Sequence, residues 1–303
     1  MSCWDDPIKS IKIRHDDVEI TFADDESKIL SDFSAYITNV DPDVLVFKND
    51  LNVLNYLFQR IKLLSLDLPI GRRKTDIYSI NQSHILEKWS QGRIYLTSKH
   101  LENGIVGLIE LSQFSYLPLR LILHYSIGRL IANRNLFEVL GRNCVISDNN
   151  KRNFEQIRTV DEIIDRDKAG MIFTPQIGLH ENVAVLDYND EFANIIVNDN
   201  ISYESMANNK KSDKSLGILP QIVKQLIERR VYFRQLLKQL SPDSIEANDS
   251  EKRADTLKKI LVCLYWTTGS YWNKYGNVLA FEEINKKSRE ILLKTKDIVQ
   301  ELG

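Results

Sequence analysis

VAVLDYNDEFANIIV, residues 183–197, alternates as a strand does: Val183, Val185 and Asp187 fall on one side of an extended chain, Ala184, Leu186 and Tyr188 on the other. The pattern predicts a buried strand that carries Asp187 to its end. Asp190 and Glu191 crowd the corner that follows, where they suit either additional metal ligands beside Asp187 or a solvent-facing acidic turn.

Downstream, a polar connection, ANNKKSDKS (207–215), leads into GILPQIVKQLIERRVYFRQLLKQL (217–240). Ile222, Val223, Leu226, Ile227, Phe233, Leu236, Leu237 and Leu240 recur at helical spacing, Pro220 sits in the first turn, and Ser241-Pro242 ends the run. A second helix is expected from near Ser250 through Leu257, Ile260, Leu261 and Leu264, and the short link between the two predicts an antiparallel helical hairpin. Positive charge collects on it: Arg229, Arg230, Arg234 and Lys238 on one arm, Lys252, Arg253, Lys258 and Lys259 on the other. Arg230 and Arg234, four residues apart, share a helix face. Two basic arms suit polyphosphate, and equally a solvated helix surface. A last helix, FEEINKKSREILLKTKDIVQEL (281–302), runs to Gly303.

Upstream, ADDESKIL reads as a helix start capped by Asp25 or Ser27, ahead of Ile29, Leu30, Phe33 and Ile37. DVLVF (43–47) and GRIYLTSK (92–99) read as strands, VLNYLFQRIKLLSL (53–66) as a helix, and 118–140 as helical. The first half is thus an α/β layer structure. The turn to polar composition from 147 to about 168 is the expected boundary.

Composition sets limits on all of this. With 303 residues, 43% hydrophobic and 27% charged, the chain reads as globular, with room for two domains. A net charge of −2 excludes a basic protein overall, so any affinity for nucleic acid must be local. Cys3, Cys144 and Cys263 are too few and too scattered for a zinc site or a disulfide framework, which suits a reducing, cytoplasmic setting. No apolar run approaches a membrane span, because Arg120 and Arg129 interrupt the best one, and the first residues do not read as a signal peptide.

A strand ending in aspartate, followed by a basic helical hairpin and a return to the domain, resembles the palm and fingers of family B DNA polymerases. The segment 178–205 is similar to motif A of that family, D-[FY]-x-S-L-Y-P-S-I-I: Asp187 matches the metal-binding aspartate, Tyr188 the following aromatic, Phe192 the tyrosine under the sugar, and Ile195-Ile196 the closing pair. Asp190, Glu191, Ala193 and Asn194 depart from it. The helix from 217 resembles the first fingers helix, with Arg230 and Arg234 where the family contacts the triphosphate. RADTLKKILVCLYWTTGSYWNKYG (253–276) is similar to motif B, K-x-x-x-N-S-x-Y-G, keeping Lys258 and Tyr265 but placing Val262-Cys263 at the Asn-Ser pair and Trp266 at the glycine. The degraded motifs look like those of the divergent archaeal branch, which implies a nucleoid-associated location.

Residues 1–146 resemble the 3′–5′ exonuclease (RNase H-like) domain that precedes the palm, with Asn49 at the asparagine of its second motif. The aspartate expected about five residues on is replaced by Val53, Leu54 and Asn55, and no Tyr-x-x-x-Asp motif falls between 100 and 120. Proofreading hydrolysis needs carboxylates that hold metal, so this domain is expected to be inactive. The resemblance implies a linker at 147–168, palm at 169–206, fingers at 207–262, and the end of motif B with a palm helix at 263–303.

By resemblance the fold is α/β, an exonuclease-like domain followed by a partial palm with helical-hairpin fingers. The implied function is template-directed nucleotidyl transfer in DNA replication or repair, on primer-template DNA and deoxynucleoside triphosphates, with two Mg²⁺ ions. Such a centre is bridged by aspartates from separate strands, and only Asp187 is recognisable here. Motif C and the thumb are therefore expected on a separate carboxy-terminal chain, the isolated chain being inactive. Asp190 and Glu191 are the additional metal-ligand candidates, and Arg230, Arg234, Lys258, Phe192 and Tyr265 the nucleotide-binding ones. The alternative is a non-catalytic DNA- or nucleotide-binding accessory module, and a third reading is a decaying gene product without a stable fold.

Overall fold

The computed structural model describes residues 6–15, 18–48, 52–73, 89, 91–97, 101–143, 158–162, 173–174, 177–206, 215–270 and 272–302. Cys3, Asn49, Cys144, Gly303 and most of the 147–168 and 207–215 stretches lie outside these residues. Contacts divide the chain into two compact units, Met1–Glu102 and Asn103–Gly303. The division falls well before the polar stretch at 147–168, because the helices after residue 103 pack on the later helices of their own unit.

In the first unit, β1 (Ile11–His15) and β2 (Val18–Phe22) pair antiparallel with Ile13 opposite Ile20, and Ile11, Ile13 and Phe22 pack on the unit's core. Helix α1 (Glu26–Val40) begins at Asp25, whose carboxylate accepts the Ser27 N–H at 3.2 Å, a cap for one of the first-turn donors. Strand β3 (Val44–Phe47), helix α2 (Asn52–Leu63) and strand β4 (Ile94–Thr97) follow, with β3 and β4 parallel and Val44 opposite Ile94. Ile29, Leu30, Phe33 and Ile37 of α1 meet Leu54, Leu57, Phe58 and Ile61 of α2 in one core. A buried ion pair crosses it: Arg60 donates from Nε to Glu26 Oε1 at 2.7 Å and from Nη2 to Oε2 at 2.5 Å, while the Ile8 N–H donates to Oε1 at 2.8 Å.

The second unit is helical. Helix α3 (Gly104–Ser115) was not foreseen, because GIVGLIELSQFS is apolar nearly all round and shows no helical stripe. A Cβ on Gly107 would lie 2.6 Å from Thr256 Oγ1, so glycine is what permits this close approach. The expected helix over 118–140 is broken into α4 (Leu119–Ile122) and α5 (Ile127–Gly141), the latter capped by Ser126. Helices α6 (Glu191–Asn198) and α7 (Tyr203–Met206) precede the hairpin of α8 (Ile218–Leu237) and α9 (Ile245–Thr268), and α10 (Val278–Leu302) follows. The hairpin is as expected, although α9 begins earlier, at the Ser244 cap. Its inner faces, from Ile218 and Ile222 to Leu257 and Leu264, belong to the main core of this unit.

The buried strand expected to end at Asp187 is not formed. Residues 183–188 form no strand and are exposed, with Val185 88% accessible, and none of β1–β4 pairs with them. A strand exists only as part of a ladder; without a neighbour to exchange hydrogen bonds, alternation alone leaves an open segment. No helix of the described residues is long and apolar enough to cross a membrane.

Candidate functional site

The corner after Asp187 is organised by α6. Asp190 takes the left-handed conformation (φ 52°, ψ 43°) and the chain turns at once into the helix, where Ala193, Ile195 and Ile196 are buried. The sequence predicted a turn here and the structure places a helix immediately behind it. Their burial anchors the first turn of α6 and so fixes Phe192. Its ring lies parallel to Tyr265 of α9 with centroids 4.1 Å apart and 7° between planes. Tyr265 is itself held: its hydroxyl donates to Asn285 Oδ1 of α10 at 2.5 Å, and Phe281 stacks on it at 5.0 Å. Burial pushes the Tyr265 hydroxyl above the usual tyrosine range, so it stays a neutral donor.

The two arginines singled out on α8 reach the same corner. Arg230, 9% exposed, pairs through Nη1 with the Asp190 carboxylate, and Arg234 donates from Nη1 to Asn189 Oδ1 at 3.4 Å. Glu191 accepts the Ser288 hydroxyl of α10 at 2.8 Å, and Tyr188 bonds Thr295 of the same helix. Asp187 is exposed, as is Lys258 on α9. The fold thus brings Asp190, Phe192, Arg230, Arg234 and Tyr265 to one corner from three parts of the sequence.

The hairpin's charge is disposed otherwise than two basic arms facing one another would suggest. Arg229 of α8 and Arg253 of α9 do meet, but around the carboxylate of Glu110 of α3, which is 1% exposed; Arg229 Nε donates to Oε2 at 2.5 Å, and Arg253 pairs with Oε1. Lys259 donates to Asn103 Oδ1 at 3.0 Å. A buried carboxylate draws nearby guanidinium groups more strongly than solvent does. Glu110 and Asn285 escaped the sequence reading. For Asn285 a signal existed: it interrupts the apolar spacing of Phe281, Ile284 and Ile291, the place where a polar group on a core-facing stripe needs a partner.

The donor set does not by itself fit a two-metal centre. Asp190 is committed to Arg230 and Glu191 to Ser288, Asp187 faces solvent, and no group of three or more His, Cys, Asp or Glu side chains suited to a metal occurs among the described residues.

Comparison with known proteins bears on this arrangement. The family model for DNA polymerase family B matches residues 117–217. DNA polymerase 2 of Saccharolobus solfataricus is 28% identical across 71% of this chain and 33% of its own length, and a DNA polymerase of Archaeoglobus fulgidus is 25% identical across 88% and 42%. The DNA polymerase alpha catalytic subunit of Xenopus laevis is 32% identical across 45% of this chain and 10% of its own length. The solved structure of the family B DNA polymerase from the hyperthermophilic archaeon Pyrobaculum calidifontis superposes with a TM-score of 0.68 at 20% identity, covering 99% of this chain and 49% of that one. The chain therefore spans a third to a half of the length of these archaeal proteins. Sequence similarity to archaeal and eukaryotic polymerases and the likeness of fold agree, and this chain is similar to the family B DNA polymerases, most directly over residues 117–217.

Proposed function

We propose that residues 1–303 are the amino-terminal part of a DNA-directed DNA polymerase that binds deoxynucleoside triphosphates and primed DNA and requires polypeptide outside residues 1–303 for nucleotidyl transfer. The single observation that carries this reading is the convergence at one corner of the Phe192–Tyr265 stack and of Arg230 and Arg234 on the turn that follows Asp187. In it, Phe192 offers a flat surface to the sugar, Tyr265 braces Phe192 from behind, and Arg230, Arg234 and Lys258 receive the phosphates. Asp187 is the catalytic carboxylate and takes Mg²⁺ only together with carboxylates from the completing polypeptide. The first unit is an exonuclease-like domain without proofreading, since its second motif offers Val53, Leu54 and Asn55, and Leu54 is spent in the core.

Nucleotide binding tests this. Lys258→Ala is expected to weaken binding of a deoxynucleoside triphosphate to the chain by about 1–3 kcal/mol, the range for a charge-assisted hydrogen bond. Isothermal titration measures it; equal affinity in parent and variant returns Lys258 to a solvated helix face. Phe192→Ala is expected to narrow the preference for deoxyribonucleoside over ribonucleoside triphosphates, and an unchanged preference would remove Phe192 from the sugar. The exposure of Asp187 also favours a second reading, a non-catalytic DNA- or nucleotide-binding accessory module, which shares these binding results and differs in never supporting synthesis.

A further inference from the structure

We infer that Asp190 is an internal competitor for the phosphate-binding guanidinium: its carboxylate occupies Arg230 and holds the site's affinity for triphosphate down until the pair opens. The inference rests on the reading of Arg230 as a phosphate ligand given above. Both members are shielded, with side-chain exposures of 11% for Arg230 and 14% for Asp190, so their attraction is weakly screened by salt. Arg234, one turn further along α8, is drawn to the same turn through Asn189. Both arginines are therefore engaged by the corner that a triphosphate would need to approach. Arg230 Nε is buried without a hydrogen-bond partner, so the guanidinium has a donor in reserve that Asp190 does not satisfy.

A triphosphate entering here meets a cation already neutralised and a carboxylate of its own sign beside it. It must displace Asp190 before it gains Arg230, and the lost attraction is subtracted from its affinity. Asp190 thereby sets a threshold for anion binding. A ligand with several phosphate charges overcomes it more readily than one with a single charge. The left-handed backbone at Asp190 suits asparagine or glycine, so the carboxylate's charge can be removed while the turn into α6 is kept.

The test uses the full 303-residue chain and inorganic tripolyphosphate without divalent metal, followed by calorimetry, with a short single-stranded oligodeoxynucleotide as a second arm. Asp190→Asn is expected to bind tripolyphosphate at least about tenfold more tightly than the parent, the equivalent of one charge-assisted hydrogen bond recovered. It is also expected to melt at a lower temperature than the parent without anion and to regain more of that loss on adding tripolyphosphate. Should Asp190→Asn fail to fold, as circular dichroism would reveal, Asp190→Gly takes its place with the same expectation. Unchanged or weaker binding in these variants, while Lys258→Ala still loses affinity, overturns the competitor and leaves the phosphate site standing. A gain for the oligonucleotide alone also overturns it, because the competing charge would then oppose backbone phosphate and not a triphosphate. No binding by parent or variant, with Lys258→Ala indistinguishable from the parent, removes the phosphate site itself and the inference with it.

Discussion

Replacing Arg60 with methionine is expected to destabilise the amino-terminal unit by about 3–5 kcal/mol at pH 7, the cost of leaving a buried charge without its partner. Methionine keeps much of the arginine stem, so the loss is of charge more than of volume. Glu26, with a side chain 9% exposed, would keep the Ile8 N–H but lose the guanidinium that balances it. The effect carries a pH signature. The Arg60 hydrogen bonds hold the Glu26 carboxyl below the usual carboxylate range, against a burial that pushes it up. A carboxyl depressed on folding contributes stability above its unfolded pKa and loses it as pH falls through its folded value. With Arg60 gone, burial leaves the charged form penalised, and protonation relieves the strain. The stability gap between parent and Arg60→Met is therefore expected to be wide at neutral pH and to shrink as pH drops below the ordinary carboxylate range, about 4. Urea titrations at both ends measure it; a gap independent of pH would show that Arg60 acts through packing alone.

Under the proposed function, residues 1–303 on their own are expected to extend a primer at least about a thousandfold more slowly than the same residues joined by the proposed completing polypeptide. Two-metal transfer depends on carboxylates from separate strands, and the described residues offer Asp187 exposed, with Asp190 and Glu191 engaged elsewhere. Forfeiting about 4 kcal/mol of transition-state stabilisation corresponds to that factor. Primer binding is expected to survive in part and to fall steeply with salt, because exposed cations such as Lys238 and Lys258 remain for the phosphate backbone. The measurement is extension of a labelled primer-template with the chain alone and with the completing polypeptide added, with Asp187→Asn as control; the same gel reports any trimming of the 3′ end, which is expected to be absent. Rapid synthesis by residues 1–303 alone would require carboxylates now bound to Arg230 and Ser288 to be released for metal, and would overturn both the proposal and the competitor role of Asp190. Failure of the completed assembly to synthesise, with nucleotide still bound, would favour the accessory module.

Local information in the sequence determined those elements whose stabilisation is itself local. The Asp25 cap and the Ile29, Leu30, Phe33 and Ile37 stripe specified α1; Pro220 and the apolar series from Ile222 specified α8; the paired arms specified the hairpin. Each depends on groups within a turn or two of one another, so pattern suffices. The residue types at Asp187, Phe192, Arg230, Arg234, Lys258 and Tyr265 were likewise visible as a family resemblance before any contact was known.

Tertiary structure alone decided the remainder. Residues 183–188 have the alternation of a strand but no ladder to join, and the sequence of one strand carries no record of whether a partner is present. The start of α8 has no side-chain cap of its own; Asn200, Ser202 and Glu204 accept the N–H groups of Gly217, Leu219 and Ile218 at 2.8, 3.1 and 2.6 Å, from a segment more than a dozen residues away. Helix α3, apolar nearly all round, became definite only where Gly107 admits α9 and Glu110 gathers Arg229 and Arg253. The same holds at the corner itself. The spacing of charges showed which cations were available, but a charge joins whichever opposite charge the fold places nearest in a shielded setting, and for Arg230 the fold places Asp190 there.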